Sequence, residues 1–216
     1  MRKAPARKLA RGFTLIEILV AIVVLSIGLL GIAGLQLATT KYKINSWSRS
    51  SNASLFADFS DRVRMNPSQA GRNYITGADS TSAYILNSDW ATQQAATDAS
   101  LTITPNCETD SSVTSCTPQQ RAAYDMGAWR LRVRNALPQG AALVEGNRSD
   151  GITVTLMWFD KENTDSQRRI NDGTAVNLVA VTTCTSQQTG LARQTCCPAT
   201  ASAPAGVRCA RFSFVP

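Results

Sequence analysis

The most pronounced hydrophobic feature of the chain is an uninterrupted apolar run near its N-terminus. It covers residues 13–35 and contains one charged side chain, that of Glu17. An α-helix of 23 residues is ~35 Å long, which is enough to cross the hydrocarbon core of a bilayer. A secretory signal peptide would have a shorter core followed by a small-residue cleavage site, and this run has neither. We therefore expect a single membrane-spanning helix.

Beyond the apolar run, the pattern becomes that of an amphipathic helix. The next strong helix breaker is Pro67. We expect one helix from residue 13 to about residue 65, whose second half, residues 36–66, packs on a globular domain formed by residues 67–216. The positions that recur with the spacing of one helical face are Tyr42, Arg49, Asn52, Phe56, Phe59 and Val63.

The first part of the globular domain predicts little regular structure. Residues 67–115 are rich in small polar residues and indicate a long connecting region, with one short helix near residues 89–97. A longer helix should follow, because Thr117 is a good N-cap and Gln120 completes a capping box. This helix should end before Pro138.

The last part of the domain predicts strands. Residues 151–160 alternate between apolar and polar side chains, and Met157 and Phe159 make the second face apolar too, which favours a central strand. The expected fold class is α+β, with a long N-terminal helix packed on a small antiparallel sheet and a disulfide-stapled C-terminal region. The expected strands cover residues 141–145, 151–160, 175–182 and 211–215.

The distribution of charge argues against a nucleic-acid-binding domain. The chain has 22 basic and 15 acidic residues. Five of the basic residues lie in residues 1–12, which contain no acid, so the remainder carries 17 basic residues and a net charge of +2. A basic segment before an apolar helix fits the positive-inside rule. The five residues are Arg2, Lys3, Arg7, Lys8 and Arg11.

All six cysteines follow the apolar run, which indicates an oxidising compartment and disulfides. The favoured first pair is Cys107 with Cys116, which share one turn-rich stretch. The adjacent Cys196 and Cys197 rarely bond each other, because a disulfide needs its two Cα atoms side by side. The remaining candidates are Cys184, Cys196, Cys197 and Cys209.

Two connectivities remain for the four late cysteines. Cys184 pairs either with Cys196 or with Cys197, and Cys209 pairs with the other one. A four-thiolate zinc site is the competing hypothesis, but the spacing lacks paired C-x2-4-C motifs, so we expect no metal. The chain contains no histidine and no phosphate-binding or nucleophile motif, so we also expect no cofactor and no enzymatic activity.

Glu17 needs an explanation, because a carboxylate within a spanning helix costs roughly 2.5–3.5 kcal/mol. Residues 11–17, Arg-Gly-Phe-Thr-Leu-Ile-Glu, resemble the prepilin leader motif of type IV pilins and type II secretion pseudopilins. The resemblance implies a leader of residues 1–12, cleavage by prepilin peptidase after Gly12, and methylation of the new N-terminal amine of Phe13. It also implies that Glu17 pairs with the N-terminal amine of a neighbouring subunit during assembly.

Further segments resemble minor pilins within this family, namely residues 25–36, residues 61–67 and a shorter block over residues 116–140. That resemblance implies a role in pilus assembly and in a tip complex, in support of twitching motility. The implied partners are other minor pilins, the major pilin, the inner-membrane assembly platform and membrane lipid. The protein would lie in the inner membrane with a periplasmic head and then in the extracellular pilus. The alternatives are a type II secretion pseudopilin and a pilus-displayed adhesin or DNA-uptake module.

Three glycines at positions 28, 31 and 34 recur within the apolar run, and two interpretations remain open. Small residues permit close helix–helix packing in a membrane. Alternatively, each glycine weakens the helix by ~1 kcal/mol relative to alanine, so the segment could unwind when the subunit enters a filament. The residues concerned are Gly28, Gly31 and Gly34.

Overall fold

The chain divides into two units, Met1–Trp47 and Ser48–Pro216, which are considered separately. The longest element, α1 (Leu15–Met65), contributes residues to both units. The computed structural model describes residues 14–71, 82–108, 116–161, 163 and 178–216.

The first unit contains the apolar half of α1. In the described part of the chain, one helix is long and apolar enough to cross a membrane, and this segment is Leu15–Thr40. None of its residues is buried against other parts of the chain, although most are large and hydrophobic. Exposure of this much apolar surface is typical of a segment that lies in lipid or against another helix. The long N-terminal apolar helix expected from the sequence is therefore confirmed.

The second unit is built around a three-stranded antiparallel sheet. Its strands are β1 (Ala141–Asn147), β2 (Gly151–Phe159) and β3 (Val207–Phe214), in the spatial order β1-β2-β3. β1 and β2 form a hairpin, in which the side-chain oxygen of Asn147 accepts hydrogen bonds from the turn. β2 pairs with β3 along its whole length, from Ile152 opposite Phe214 to Phe159 opposite Val207. The central position expected for β2 is confirmed.

Both faces of β2 are buried, because a hydrophobic cluster covers each one. The first cluster packs alternate β2 residues against the second half of α1 and against a helix after the connecting region. Its main members are Phe59, Val63, Trp129, Val154 and Leu156. The second cluster joins the opposite face to the C-terminal region, through residues that include Trp90, Leu143, Met157, Cys197 and Cys209.

The described part of this unit contains four further α-helices: α2 (Trp90–Ala95), α3 (Asp98–Leu101), α4 (Pro118–Ala136) and α5 (Gly190–Thr195). α4 begins as expected, since the Thr117 hydroxyl accepts from Gln120 N and the Gln120 side chain accepts from Thr117 N. The helix ends at Ala136, before Pro138 as expected. The long helix and the small antiparallel sheet confirm the α+β fold class.

The C-terminal strands differ from the prediction. Residues 178–182 form no strand, and the expected strand over residues 175–182 is wrong for this described part. β3 instead begins at Val207, four residues before the predicted start at residue 211. The reason is that the backbone of this segment bonds loop residues: Val179 N donates to Asn163 O, and Gly206 N donates to Val179 O.

The one face predicted for the second half of α1 is only partly correct. Asn52, Phe59 and Val63 are buried, whereas Tyr42 is 74% exposed. Leu55 joins the core instead. The periodic pattern extended too far towards the N-terminus, because the core contacts only the last turns of the helix.

We expect Gly127→Ala to destabilise the second unit, Ser48–Pro216, which is called the head below. Gly127 lies in α4, and a Cβ there would lie 2.3 Å from Leu101 O and 2.7 Å from Ile103 Cγ1. Alanine is ordinarily better than glycine in a helix by ~1 kcal/mol, but overpacking of this kind costs about 1–3 kcal/mol. Chemical denaturation of the detergent-solubilised protein should show a lower free energy of unfolding. Gln119→Ala, at an exposed position of the same helix, is the control, and a stabilised Gly127→Ala variant would contradict the contact.

Candidate functional site

The membrane-type half of α1 presents Glu17 in its first turn. Glu17 N donates to Thr14 O at 3.1 Å and lies 3.4 Å from the Thr14 hydroxyl oxygen, so Thr14 satisfies the start of the helix. The positive end of the helix dipole favours an acid at this position. The Glu17 carboxylate is exposed, and within residues 14–71 and the other described segments no cation pairs with it. It therefore has no cationic partner in the described part of the chain.

The structure describes some of the predicted site positions and not others. Gly12 and Phe13, the expected cleavage and methylation residues, lie outside the described residues. The three glycines of the apolar run lie within the uninterrupted helix α1, and a Cβ at any of them would meet nothing within 4 Å. These positions are open to a neighbouring helix, and unwinding in a filament also stays a prediction. Full amide protection across residues 28–34 of an assembled subunit would exclude unwinding.

The head contains a buried polar network centred on Asp125 of α4. One carboxylate oxygen accepts from Arg62 Nη1 at 2.8 Å, and the other accepts from the Tyr84 hydroxyl at 2.9 Å. The Arg62 Nε donates to Asp58 one turn earlier in α1, at 3.1 Å. Asp125 is 4% exposed, so its charge depends on these partners for stabilisation.

Asn66 extends the network just after the last residue of α1. Its side-chain NH₂ group donates to the Tyr84 hydroxyl at 3.1 Å and to Pro118 O at 2.7 Å. The Tyr84 hydroxyl therefore accepts from Asn66 and donates to Asp125. Three parts of the chain meet here: the end of α1, the segment after the first gap in the described residues, and the start of α4.

The electrostatics of the network favour a protonated tyrosine and a charged arginine. Burial raises the pKa of Tyr84, and the neighbouring charge of Asp125 raises it further. Burial alone would lower the pKa of Arg62, but Asp58 and Asp125 outweigh this effect and raise it. Arg62 therefore remains a charged donor and Tyr84 a hydroxyl donor, and the bonds of Arg62 and Tyr84 to Asp125 connect the end of α1 to α4.

Three disulfides join the six cysteines. Cys107 bonds Cys116, which is the expected first pair. The late cysteines adopt the first of the two expected connectivities, Cys184 with Cys196 and Cys197 with Cys209. The four late sulfurs are therefore not thiolates, and the competing zinc hypothesis loses its ligands. Cys209 lies in β3, so the last disulfide attaches the C-terminal loop directly to the sheet.

The buried network around Asp125 and the second hydrophobic cluster were not predicted. Tyr84 is fully buried although it lies in residues 67–115, the polar region that we expected to be a long connecting region. An isolated aromatic in such a region was the available signal. Asp125 had a similar signal, since it lies four residues before the buried Trp129 on the same face of α4.

Comparison with known proteins identifies the N-terminal segment. The family model described as the prokaryotic N-terminal methylation motif matches residues 7–33, which include Gly12, Phe13 and Glu17. No curated protein and no solved structure matches the chain. The chain thus carries a type IV prepilin-like motif, which supports a type IV pilin-like or pseudopilin protein that is processed by prepilin peptidase and anchored in a membrane.

We expect Tyr84→Phe to lower the free energy of unfolding of the head by about 1–3 kcal/mol, because Asp125 and Asn66 each lose a buried hydrogen-bond partner. Denaturant titration at pH 8 measures the change. Tyr42→Phe is a matched control, since Tyr42 is 74% exposed. Equal stabilities of the two variants would contradict the network.

The same variant isolates a pH effect. A tyrosine whose pKa is raised from 10.0 in the folded state stabilises the protein fully below pH 10 and loses this contribution as the pH rises further. The native protein should therefore lose more stability than Tyr84→Phe between pH 9 and pH 11, by at most about 1.4 kcal/mol per pH unit. If the free energy of unfolding fell equally with pH in the two proteins, the pKa of Tyr84 would not be raised by burial.

Proposed function

We propose that this protein is a minor pilin of the PilV kind, the type IV pilus modification protein, which acts in the assembly of the pilus and in its tip complex. The observation that carries the proposal is the methylation motif over residues 7–33, followed by an apolar helix with an exposed acid at Glu17. The long helix, the small sheet and the disulfides of the head agree with this class.

The N-terminus provides the chemistry of assembly. Prepilin peptidase cleaves after Gly12 and methylates the amine of Phe13, so that Glu17 becomes the fifth residue of the mature chain. A lone carboxylate in lipid costs roughly 2.5–3.5 kcal/mol, and pairing with a positively charged amine removes much of this cost. The N-terminal amine of the adjacent subunit in the filament supplies that charge.

The head supports the assignment to minor pilins over secretion pseudopilins. The narrower resemblance rests on residues 25–36 of the apolar run and, in the head, on residues 61–67 and the block over residues 116–140. The Arg62–Asp125 ion pair and the bond from Asn66 to Pro118 O join these two segments. A pseudopilin remains the alternative, because it shares the N-terminal motif. Presence of the protein in sheared pili, and not with secretion components, distinguishes the two.

The remaining parts of the proposal concern location and partners. The protein is inserted in the inner membrane with its head in the periplasm, where an oxidising environment permits the three disulfides. It then joins other minor pilins and the major pilin at the assembly platform, and its loss reduces twitching motility.

Mass spectrometry of the mature protein tests processing directly. We expect a chain that begins at Phe13, carries one added methyl group, and lacks six hydrogens because of three disulfides. Deletion of the peptidase should restore residues 1–12. A mature chain that retains its leader in cells with an active peptidase would contradict the proposal.

We expect Glu17→Ala to leave cleavage intact and to reduce incorporation into pili at least tenfold, which corresponds to about 1.4 kcal/mol of lost pairing energy. Quantitative immunoblotting of sheared pili measures incorporation. Glu17→Gln keeps the shape and removes the charge, so it should behave like Glu17→Ala. Glu145→Gln, which removes a carboxylate from β1 in the head, is the matched control. Normal incorporation of both Glu17 variants would defeat the assembly role.

A further inference from the structure

The two edges of the sheet differ in how their backbone groups are satisfied. At the β1 edge, Ala142 N donates to the Gln93 side chain at 3.1 Å, and the Gln93 NH₂ group donates back to Ala142 O at 2.9 Å. Two residues further on, Val144 exchanges backbone hydrogen bonds with Leu86, at 2.8 and 3.1 Å. Elements of the same chain therefore cover this edge.

The β3 edge has no comparable cover near its end. Antiparallel strands alternate between residues that bond the neighbouring strand and residues whose N–H and C=O groups point away from it. At the start of the β2–β3 pairing, Asp160 N donates to Gly206 O at 2.9 Å, so the even-numbered residues of β3 bond β2. It follows that the backbone groups of Arg211 and Ser213 point away from β2. No other backbone group in the described part of the chain bonds them.

A groove of about 550 Å³ lies along this open edge. One wall is α5, and the other is the end of β3 together with Phe56 of α1. Phe212 faces the first hydrophobic cluster, whereas Arg211 and Ser213 belong to the opposite face of the sheet. Because one groove contacts residues from both faces, it must run around the strand edge itself. Its lining residues are Phe56, Thr153, Gly190, Arg193, Gln194, Arg211, Phe212 and Ser213.

The groove is positively charged. Arg193 and Arg211 are the charged residues in its lining, and neither forms an ion pair with a carboxylate of the described residues. The guanidinium of Arg211 lies against the Cys184–Cys196 disulfide, with Nη1 3.4 Å from Cys184 Sγ. Its Nε is buried and makes no hydrogen bond within the described chain. Within the described chain, these two cations have no carboxylate partner and the adjacent strand edge is unpaired, which favours a ligand that supplies both carboxylates and backbone groups.

We propose that this groove binds an extended acidic segment of a partner protein, which adds to β3 as a fourth strand and places carboxylates on Arg193 and Arg211. Main-chain hydrogen bonds to an exposed edge provide affinity in strand addition, and side-chain pockets provide specificity. A second copy cannot supply the strand through its β1 edge, because Gln93 and Leu86 cover that edge. Its own β3 edge is open but contains arginines and no carboxylate, so it lacks the charge that the groove requires. The partner therefore brings a strand of its own, and this inference does not depend on the proposed pilus role.

The Cys184–Cys196 disulfide holds the groove in shape. Cys196 is the C-cap of α5, and the bond ties the end of this helix to the segment that precedes it. Reduction of this disulfide should release α5 from β3 and abolish binding. Cys107–Cys116 lies outside the groove lining, so a Cys107→Ser/Cys116→Ser double variant should keep the binding that Cys184→Ser/Cys196→Ser loses.

The test uses the full-length oxidised protein in detergent micelles and a synthetic peptide in which valine alternates with glutamate. The reference is the same peptide with lysine in place of glutamate. We expect the glutamate peptide to bind at least tenfold more tightly by fluorescence anisotropy. It should also slow amide exchange at Arg211 and Ser213. Equal affinities for the two peptides would overturn the proposal.

Two variants separate the charge from the strand addition. Arg193→Glu, at an exposed position of α5, should abolish the preference for the glutamate peptide, because one charge of each sign then lines the groove. Lys161→Glu, an exposed residue just after β2, should leave the preference unchanged. Ser213→Pro removes an N–H that points away from β2, so it should leave the β2–β3 hydrogen bonds intact and lower the affinity for the peptide at least tenfold. Ser213→Ala is its control. Unchanged affinity for Ser213→Pro would exclude strand addition.

A single-stranded DNA oligonucleotide serves as the competing ligand, because it also carries negative charge. We expect it to bind at least tenfold more weakly than the glutamate peptide at physiological salt. Tighter binding of the oligonucleotide that is lost in Arg193→Glu would identify a nucleic-acid groove and overturn the proposal.

Discussion

The head of this protein depends on the buried carboxylate of Asp125. Each of its oxygens accepts a hydrogen bond from a different part of the chain, one from Arg62 of α1 and one from Tyr84. A buried ion pair contributes little net stability, but the loss of one partner leaves an uncompensated charge in the interior. The network therefore acts chiefly as a constraint on position, since other placements of α4 would leave a charged group unpaired.

The sheet follows from this arrangement. With α1 and α4 joined, their apolar side chains cover one face of β2, and the residues after β2 are left to cover the other. Two disulfides then hold the C-terminal region together, and one of them reaches β3 directly. The outcome is a small sheet with two buried faces, one covered edge and one open edge. An open edge is a liability for aggregation unless a partner occupies it.

The membrane-type half of α1 obeys a different constraint. Its apolar side chains have no burial within the chain, so their stability must come from lipid or from other subunits. Glu17 faces the same surroundings without a described partner of its own. Both features are typical of a segment that contacts lipid or other subunits, whereas Asp125 in the described part of the head has its partners within the chain.

Sequence by itself determined the elements whose cause is local. The apolar run determined the anchoring helix, the Thr117–Gln120 capping box determined the start of α4, and the motif around Gly12 and Glu17 determined the likeness to prepilins. Alternation of apolar side chains identified β2, and Met157 and Phe159 on its second face indicated its central position. These signals depend only on residues within a few turns or one strand of each other.

Tertiary structure alone decided the features that join distant residues. The path by which the C-terminal loop returns to the sheet decides which late cysteine bonds Cys184. The same path decides that β3, and not residues 178–182, pairs with β2. Tyr84 and Asp125 are 41 residues apart, so no local pattern could predict their bond. Gln93 covers the β1 edge of the sheet, 49 residues away from Ala142 in the sequence, whereas Arg211 lies on the open β3 edge. Periodicity reports only the environment of a single element, and it carries no information on which elements meet.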